Sequence, residues 1–285
     1  MTSIKVGGVA EHFNLPWHLL KESGKLEKEA FDFHWTDCHG GTGEMVRMLE
    51  QSSLDMAVLL TEGMLLNILK GGRARILGVF VSSSLEWGIH IPKEKENLLQ
   101  SGQRLTYAIS RKGSGSHLMA LVHAEEKGID PALINFREVG SLKGALDAFD
   151  QNLVDVFFWE RFTTAPYCMP HKIKRVDSIF TPWPCFVVAV APEFYLDHKE
   201  ETNRLFHLVL QMASSFKNDP FGSEIIADRY GLSPSLSSTW FGAVQWGKGE
   251  NLSLTQIRQV LQSLQESDIA AKSGDLPVPE FLVGE

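Results

Sequence analysis

Residues 111–128, RKGSGSHLMALVHAEEKG, place small and hydroxyl-bearing side chains at the start of an amphipathic helix. The first four backbone N–H groups of a helix have no acceptor within it, and the helix dipole adds partial positive charge there. Glycine lets a ligand approach the backbone, and serine hydroxyls add donors. We therefore predict that Ser114, Gly115, Ser116 and His117 bind a carboxylate, sulfonate or phosphate-like group. In the alternative interpretation, a serine only caps the helix.

A second helix start of the same kind lies in residues 39–44, HGGTGE. We expect Thr42 and Gly43 to face the same ligand from the opposite side. Two helix starts could hold an anion without an arginine. This suits a chain with a formal net charge of -8, because attraction for an anion must then be local.

Further candidates lie where predicted strands end, since ligands in α/β sheets bind beyond the carboxyl ends of the strands. Tryptophan rings would form apolar walls, and a few polar groups would fix the orientation of the ligand. The aromatic candidates are Trp17, Trp159 and Trp183. The polar candidates are His12, Asn14, Thr61, Glu62, Glu160 and Thr163. Each of these residues could instead belong to a turn or to the core.

Motifs for nucleotides and metals are missing from the sequence. Leu118 stands where a dinucleotide-binding loop would have its third glycine, and no GxxxxGK[ST], HExxH or CxxC motif occurs. We predict no cofactor, no metal site and no catalytic residue. Cys38, Cys168 and Cys185 are widely spaced and odd in number, which favours a reducing compartment.

The composition is that of an ordinary globular protein: 285 residues, 44% hydrophobic and 22% charged. Its acidic balance disfavours nucleic acid as a partner, and no apolar run reaches the roughly 20 residues needed to span a bilayer. No secretion signal is evident at the Met1 start. These observations favour a cytoplasmic protein, or a periplasmic or membrane-tethered one if a leader was removed.

Strands and helices alternate along most of the chain, in two successive units of similar size. This pattern predicts mostly parallel sheets flanked by helices. Extended segments at residues 87–92 and 183–190 are the expected crossings between the units. The predicted first lobe is therefore discontinuous, with residues 1–88 plus 188–285, and the second lobe contains residues 89–187.

In the order and spacing of three segments, the chain resembles type II periplasmic binding proteins. They are residues 43–57, residues 113–117 and residues 154–160. The resemblance is greatest to the taurine, sulfonate and nitrate binders and to thiamine-pyrimidine-synthase-like proteins. It implies a two-lobed α/β fold with a ligand cleft between the lobes, hinge closure, and a small, anionic organic ligand. It also implies a possible ABC permease partner if the protein is exported.

The sequence departs from this family in two respects. The cysteine cluster of the thiamine-pyrimidine synthases is absent, so their activity is not carried over. The leader of the exported binders is not seen either, which keeps an enzyme alternative open. Residues 12–16, HFNLP, resemble a loop of menaquinone-pathway enzymes of the futalosine route, which share this fold. No pair of carboxylates is readable, so we rank binding without catalysis first. A dehydratase or cyclase would use Glu62 and Glu160 as its first acid–base candidates.

Overall fold

The computed structural model describes residues 1–95, 97–270 and 281–283. Within these residues the chain forms ten β-strands and twelve α-helices. The strands are β1 (Thr2–Gly8), β2 (Phe31–Asp37), β3 (Met56–Leu60), β4 (Arg75–Val81), β5 (Glu86–Pro92), β6 (Leu105–Ile109), β7 (Ile134–Glu138), β8 (Val156–Glu160), β9 (Ile173–Phe180) and β10 (Phe186–Val190). The helices are α1 (Leu15–Glu22), α2 (Lys25–Lys28), α3 (Gly41–Glu50), α4 (Thr61–Leu69), α5 (Gly115–Glu126), α6 (Leu142–Asp150), α7 (Arg161–Thr164), α8 (Pro192–Asp197), α9 (Lys199–Lys217), α10 (Gly222–Tyr230), α11 (Pro234–Ala243) and α12 (Leu254–Glu266).

The chain is divided into two units. The first contains Met1–Ser83, Trp183–Leu261 and the described residues 281–283, and the second contains Ser84–Pro182 and residues 262–270. The changes of unit after Ser83 and after Pro182 occur five residues earlier than the lobe boundaries predicted from the sequence. Residues 262–270 belong to the second unit, whereas the sequence prediction kept residues 188–285 in the first lobe.

The first unit is built on a five-stranded sheet in the order β2-β1-β3-β10-β4. Strand β1 runs parallel to β2 and β3, whereas β10 is antiparallel to both of its neighbours. The central strands are nearly continuous apolar sequence, MAVLL in β3 and FVVAV in β10. Such runs are typical of strands covered on both faces, and every residue of β10 is buried.

The second unit repeats this arrangement with the sheet order β7-β6-β8-β5-β9. Strand β6 is parallel to β7 and β8, and β5 is antiparallel to β8 and β9. A core cluster that includes Leu146, Phe149 and Phe157 packs α6 against this sheet. In each unit, the first strand after the chain enters from the other unit, β10 or β5, runs antiparallel to both of its neighbours.

A pair of aspartates marks the same position in the two units. Oδ2 of Asp55, before β3, accepts a hydrogen bond from the Lys5 N–H in β1 at 2.7 Å. Oδ2 of Asp155, before β8, accepts one from the Thr106 N–H in β6 at 3.0 Å. Each carboxylate thus continues the pairing of two parallel strands, because it takes the place of a backbone acceptor.

The predicted fold class is confirmed, with one antiparallel strand in each mostly parallel sheet. The expected crossing segments at 87–92 and 183–190 contain β5 and β10. Strand β9 was not predicted, because charged residues interrupt its apolar alternation (IKRVDSIF). It is an edge strand, where charge disfavours pairing with another chain. Among the described residues, no helix has the length and apolar character that crossing a membrane requires.

Candidate functional site

In the first unit, α3 and α4 begin close together at the carboxyl end of β3. A Cβ atom built on Gly63 would lie 2.4 Å from Cγ2 of Thr42, so only glycine allows the two helix starts to pack this closely. Oγ1 of Thr42 accepts a hydrogen bond from the Leu60 N–H at 3.2 Å. Thr42 and its neighbour Gly43, both predicted site residues, are therefore fixed to the end of β3.

The turn before β10 completes this cluster. The Thr61 hydroxyl donates to the carbonyl oxygen of Pro184 at 2.5 Å, and its N–H donates to Cys185 O at 3.1 Å. Nε1 of Trp183 donates to Oε2 of Glu62 at 3.0 Å. The first unit therefore brings together Thr42, Thr61, Glu62 and Trp183, four predicted site residues from three separate parts of the chain.

Glu62 has the most perturbed carboxyl group of this cluster. Only 2% of the residue is exposed, and burial raises the pKa of its carboxyl group to about 7. Hydrogen bonds from its own N–H and from Trp183 partly oppose that rise in pKa. Within the part of the chain that the structure describes, Oε1 has no hydrogen-bond partner. Near neutral pH this group can therefore exist as either an acid or a carboxylate.

The other candidates of the first unit lie after β1, in a 3₁₀-helix (His12–Asn14) and in α1. Nδ2 of Asn14 donates to Val9 O at 2.8 Å, which holds the turn at the end of β1. The His12 ring lies 4.3 Å from that of Trp240, and burial lowers the pKa of His12 to about 3. His12 is therefore neutral at physiological pH.

Trp17 is completely buried in the first unit. Its ring stacks on that of Phe33 at 6.1 Å and packs against Phe80 at 5.9 Å. These contacts are those of a core residue, so packing accounts for the tryptophan without a ligand. The prediction that Trp17 lines a cleft stays a prediction.

In the second unit, side chains at the start of α5 form hydrogen bonds within the same turn. Oγ of Ser114 accepts a hydrogen bond from the His117 N–H at 3.3 Å, and Oγ of Ser116 accepts one from Ser110 N–H at 3.0 Å. The two hydroxyl oxygens are 3.0 Å apart, and His117 Nδ1 accepts from the Gly113 N–H at 3.0 Å. The capping role is thus real, and it already uses the hydroxyls expected to bind an anion.

This capping leads to a direct test of stability. Replacing Ser114 with alanine should lower the free energy of unfolding by about 1 kcal/mol, because the His117 N–H loses its acceptor. Ser141 is a matched control, since its Oγ accepts from the Gly144 N–H at 3.2 Å at the start of α6. Urea denaturation of both alanine variants should give similar losses. An unchanged S114A variant beside a destabilised S141A variant would contradict the assigned cap.

The remaining predicted residues lie at the end of β8. Oε2 of Glu160 accepts a hydrogen bond from the Thr163 N–H at 2.6 Å and so caps α7. The Trp159 ring stacks on Phe157 at 5.4 Å and packs against the core cluster of α6. Glu160 and Thr163 therefore form a local unit, and Trp159 contributes to the packing of the sheet.

Sequence reasoning missed two polar arrangements in the second unit. Both carboxylate oxygens of Glu86 lie 2.9 Å from Nη1 of Arg161, and the Ser178 hydroxyl donates to Oε1 at 2.7 Å. Oγ1 of the buried Thr181 accepts from the Leu85 N–H at 2.9 Å. A single acidic residue ahead of the alternating sequence WGIHIP was the available signal for the first.

No group of three or more metal-ligating side chains that could hold a metal ion occurs within residues 1–95, 97–270 and 281–283. The site residues of the two units supply hydroxyls, backbone N–H groups, the buried carboxyl groups of Glu62 and Glu160, and aromatic rings. This chemistry is suited to hydrogen-bonded recognition of a small polar molecule.

Comparisons with known proteins agree with this architecture. Residues 87–179 match the family model described as Ca3427-like PBP. The CA3427 gene product of Candida albicans, which defines a family with the generic periplasmic binding protein fold, is 24% identical to this chain. The similarity covers 98% of this chain and 94% of that chain, with a TM-score of 0.88. No match was found among curated proteins.

Two bacterial proteins are similar in structure at lower identity. The alkanesulfonate-binding protein SsuA of Xanthomonas axonopodis pv. citri, bound to MOPS, is 14% identical with a TM-score of 0.74, and 95% of each chain is covered. The aliphatic sulphonate binding protein SsuA of Escherichia coli is 13% identical with a TM-score of 0.73, covering 99% of this chain and 97% of that one. The chain therefore has the generic periplasmic binding protein fold, and residues 87–179 of its second unit match the Ca3427-like PBP model.

Proposed function

We propose that the chain binds a small organic anion and releases it unchanged, as a solute-binding-like protein. The fold supports this proposal, because the similar proteins include sulfonate binders and a ligand-binding component of an ABC-type import system. The observation that carries it is the repeated geometry of the two units. Each has a helix start at the carboxyl end of a parallel strand, α3 after β2 and α5 after β6.

In this proposal, the backbone N–H groups at the start of α5 are the main donors to the anion. The Ser114 and Ser116 hydroxyls hold the turn in place, because their oxygens accept hydrogen bonds from within it. Thr42 and Gly43 supply the corresponding helix start of the other lobe. Glu160 and Thr163, with the tryptophan rings of Trp159 and Trp183, are the proposed walls. The partner of a transport role would be an ABC permease.

The test is binding of a panel of sulfonates and carboxylates, MOPS included, measured by isothermal titration calorimetry. Valine at Gly115 should obstruct the start of α5 and weaken binding by more than about tenfold, a loss of about 1.4 kcal/mol. Ser141→Ala, which removes a cap at α6, should leave the affinity unchanged. Absence of binding to every anion of the panel, with the wild-type fold intact, would refute the proposal.

An enzyme on the same fold is the second candidate, and one observation favours it. The pKa of Glu62, raised to about 7, is suited to a group that both donates and accepts protons near neutral pH. The test is whether the purified protein dehydrates or cyclises a futalosine-route substrate. Activity that is lost in Glu62→Gln would favour the enzyme over the binding protein.

A further inference from the structure

The carboxyl group of Glu62 has a fixed orientation and one oxygen without a partner. Trp183 Nε1 donates to Oε2 at 3.0 Å, and the residue is 2% exposed. Oε1 is equally buried and has no hydrogen-bond partner among the residues that the structure describes. A buried polar atom in this state costs free energy unless a ligand or water satisfies it. Oε1 is therefore a candidate contact atom for a bound molecule.

Among the described residues, no charged group is a cause of the shift in the pKa of Glu62. Helix α4 packs against α3, β3 and β10, and neither strand carries a charged residue. The charged residues of α3 are Glu44, Arg47 and Glu50. Oε2 of Glu44 accepts from the Gly40 N–H at 2.7 Å, and Oε1 of Glu50 accepts from Asn67 at 3.0 Å. None of these charged groups contributes to the shift in the pKa of Glu62. Burial is its main cause and raises the pKa to about 7.

These surroundings favour the protonated acid, because burial of an unbalanced charge is costly. The oxygen that accepts from Trp183 is then the carbonyl oxygen of the acid. The proton is on the other oxygen, Oε1, which becomes a hydrogen-bond donor. An acid in this form can lie beside an anion, whereas a carboxylate would repel it.

We propose that Oε1 of Glu62 donates a hydrogen bond to an oxygen of a bound organic oxyanion and thereby selects oxyanions over ammonium ligands. This inference rests on the proposed binding function and names the polarity of its ligand. An oxyanion beside the acid disfavours its ionisation further. Binding above the pKa of the free protein therefore takes up one proton, and affinity falls as pH rises.

The experiment compares two probes of the same chain length, butanesulfonate and butylammonium, between pH 5.5 and 8.5. The ammonium group stays charged over this range, because the pKa of an alkyl amine is about 10.4. Wild-type affinity for butanesulfonate should be constant up to about pH 6.5 and then fall by up to about tenfold per pH unit. Glu62→Gln should keep the affinity and lose the pH dependence, since its amide N–H₂ also donates. Glu44→Gln is the control and should keep both.

Calorimetry in buffers of different ionisation enthalpy should show proton uptake on binding at pH 8. Infrared difference spectra of wild type against Glu62→Gln test the acid without a ligand, through the band of a protonated carboxyl at pH 6. Absence of that band, or butanesulfonate affinity that does not change with pH, overturns the inference and leaves the binding function standing. Butylammonium that binds more tightly as pH rises overturns the inference too. If no oxyanion of the larger panel binds, the proposed function fails, and the inference fails with it.

Discussion

Replacing Glu62 with glutamine is expected to raise the free energy of unfolding at pH 8 by about 3 kcal/mol, at about 1.4 kcal/mol per pKa unit. Burial raises the pKa of this carboxyl from 4.5 to about 7 in the folded protein. Between these values the folded state holds a proton that the unfolded state has released. Stability therefore falls as pH rises through this window, and the loss is complete above pH 7. Glutamine cannot ionise, and its amide oxygen can still accept from Trp183.

The measurement is urea denaturation of wild type and Glu62→Gln at pH 5 and pH 8. The two proteins should be similar at pH 5, where the carboxyl is protonated in the folded state. Glu44→Gln, on the neighbouring helix α3, should show no such dependence on pH. A Glu62→Gln variant that is destabilised equally at both pH values would contradict a raised pKa at this position.

Alanine at Gly144 should lower the free energy of unfolding by about 3 kcal/mol, a typical cost of overpacking. A Cβ atom at this position would lie 2.0 Å from the carbonyl oxygen of Val139. The obstacle is backbone rather than a flexible side chain, so either the start of α6 or the preceding loop must move. The shift would also disturb the Ser141 cap, which accepts from the Gly144 N–H.

Gly242 provides the matched control, because it is also helical and a Cβ atom there meets no heavy atom within 4 Å. Gly242→Ala should stabilise the protein by about 0.5 kcal/mol, since alanine loses less backbone entropy than glycine. Thermal and urea unfolding of both variants test the pair. Equal effects of the two substitutions would show that helix propensity, and not the contact with Val139, decides the outcome.

The sequence indicated secondary structure well where the spacing of apolar residues matches the repeat of a strand or a helix. Continuous apolar runs such as those of β3 and β10 indicate buried strands, and the spacing of apolar residues in α6, α9 and α12 indicates helices. The first residue of a strand or helix was harder to predict from the sequence, because local hydrogen bonds such as caps decide where the element begins. The apolar segment of β3 starts at Leu54 in the sequence, but the strand begins at Met56, since the Asp55 carboxylate accepts a hydrogen bond from the Lys5 N–H.

The contacts of the site were harder to predict than its residues. Strand exits directed attention to Glu62 and Trp183, but their hydrogen bond joins positions 121 residues apart. A single sequence contains no distance between such positions. The serines at the start of α5 illustrate a second difficulty. A serine at a helix start can cap the helix or bind a ligand, and the sequence looks the same in both cases. Only the positions of the hydroxyl oxygens showed that Ser114 and Ser116 are already engaged.

The placement of β10 affects how the protein is made. Residues Phe186–Val190 lie between β3 and β4 in the first sheet, so this sheet stays open until the ribosome has synthesised more than 190 residues. The five strands of the second sheet are all contained in one continuous stretch, from Glu86 to Phe180. We expect the second unit to fold on the nascent chain while the first unit still exposes two apolar strand edges. During that interval, these edges are the part of the newborn chain most exposed to aggregation and to chaperones.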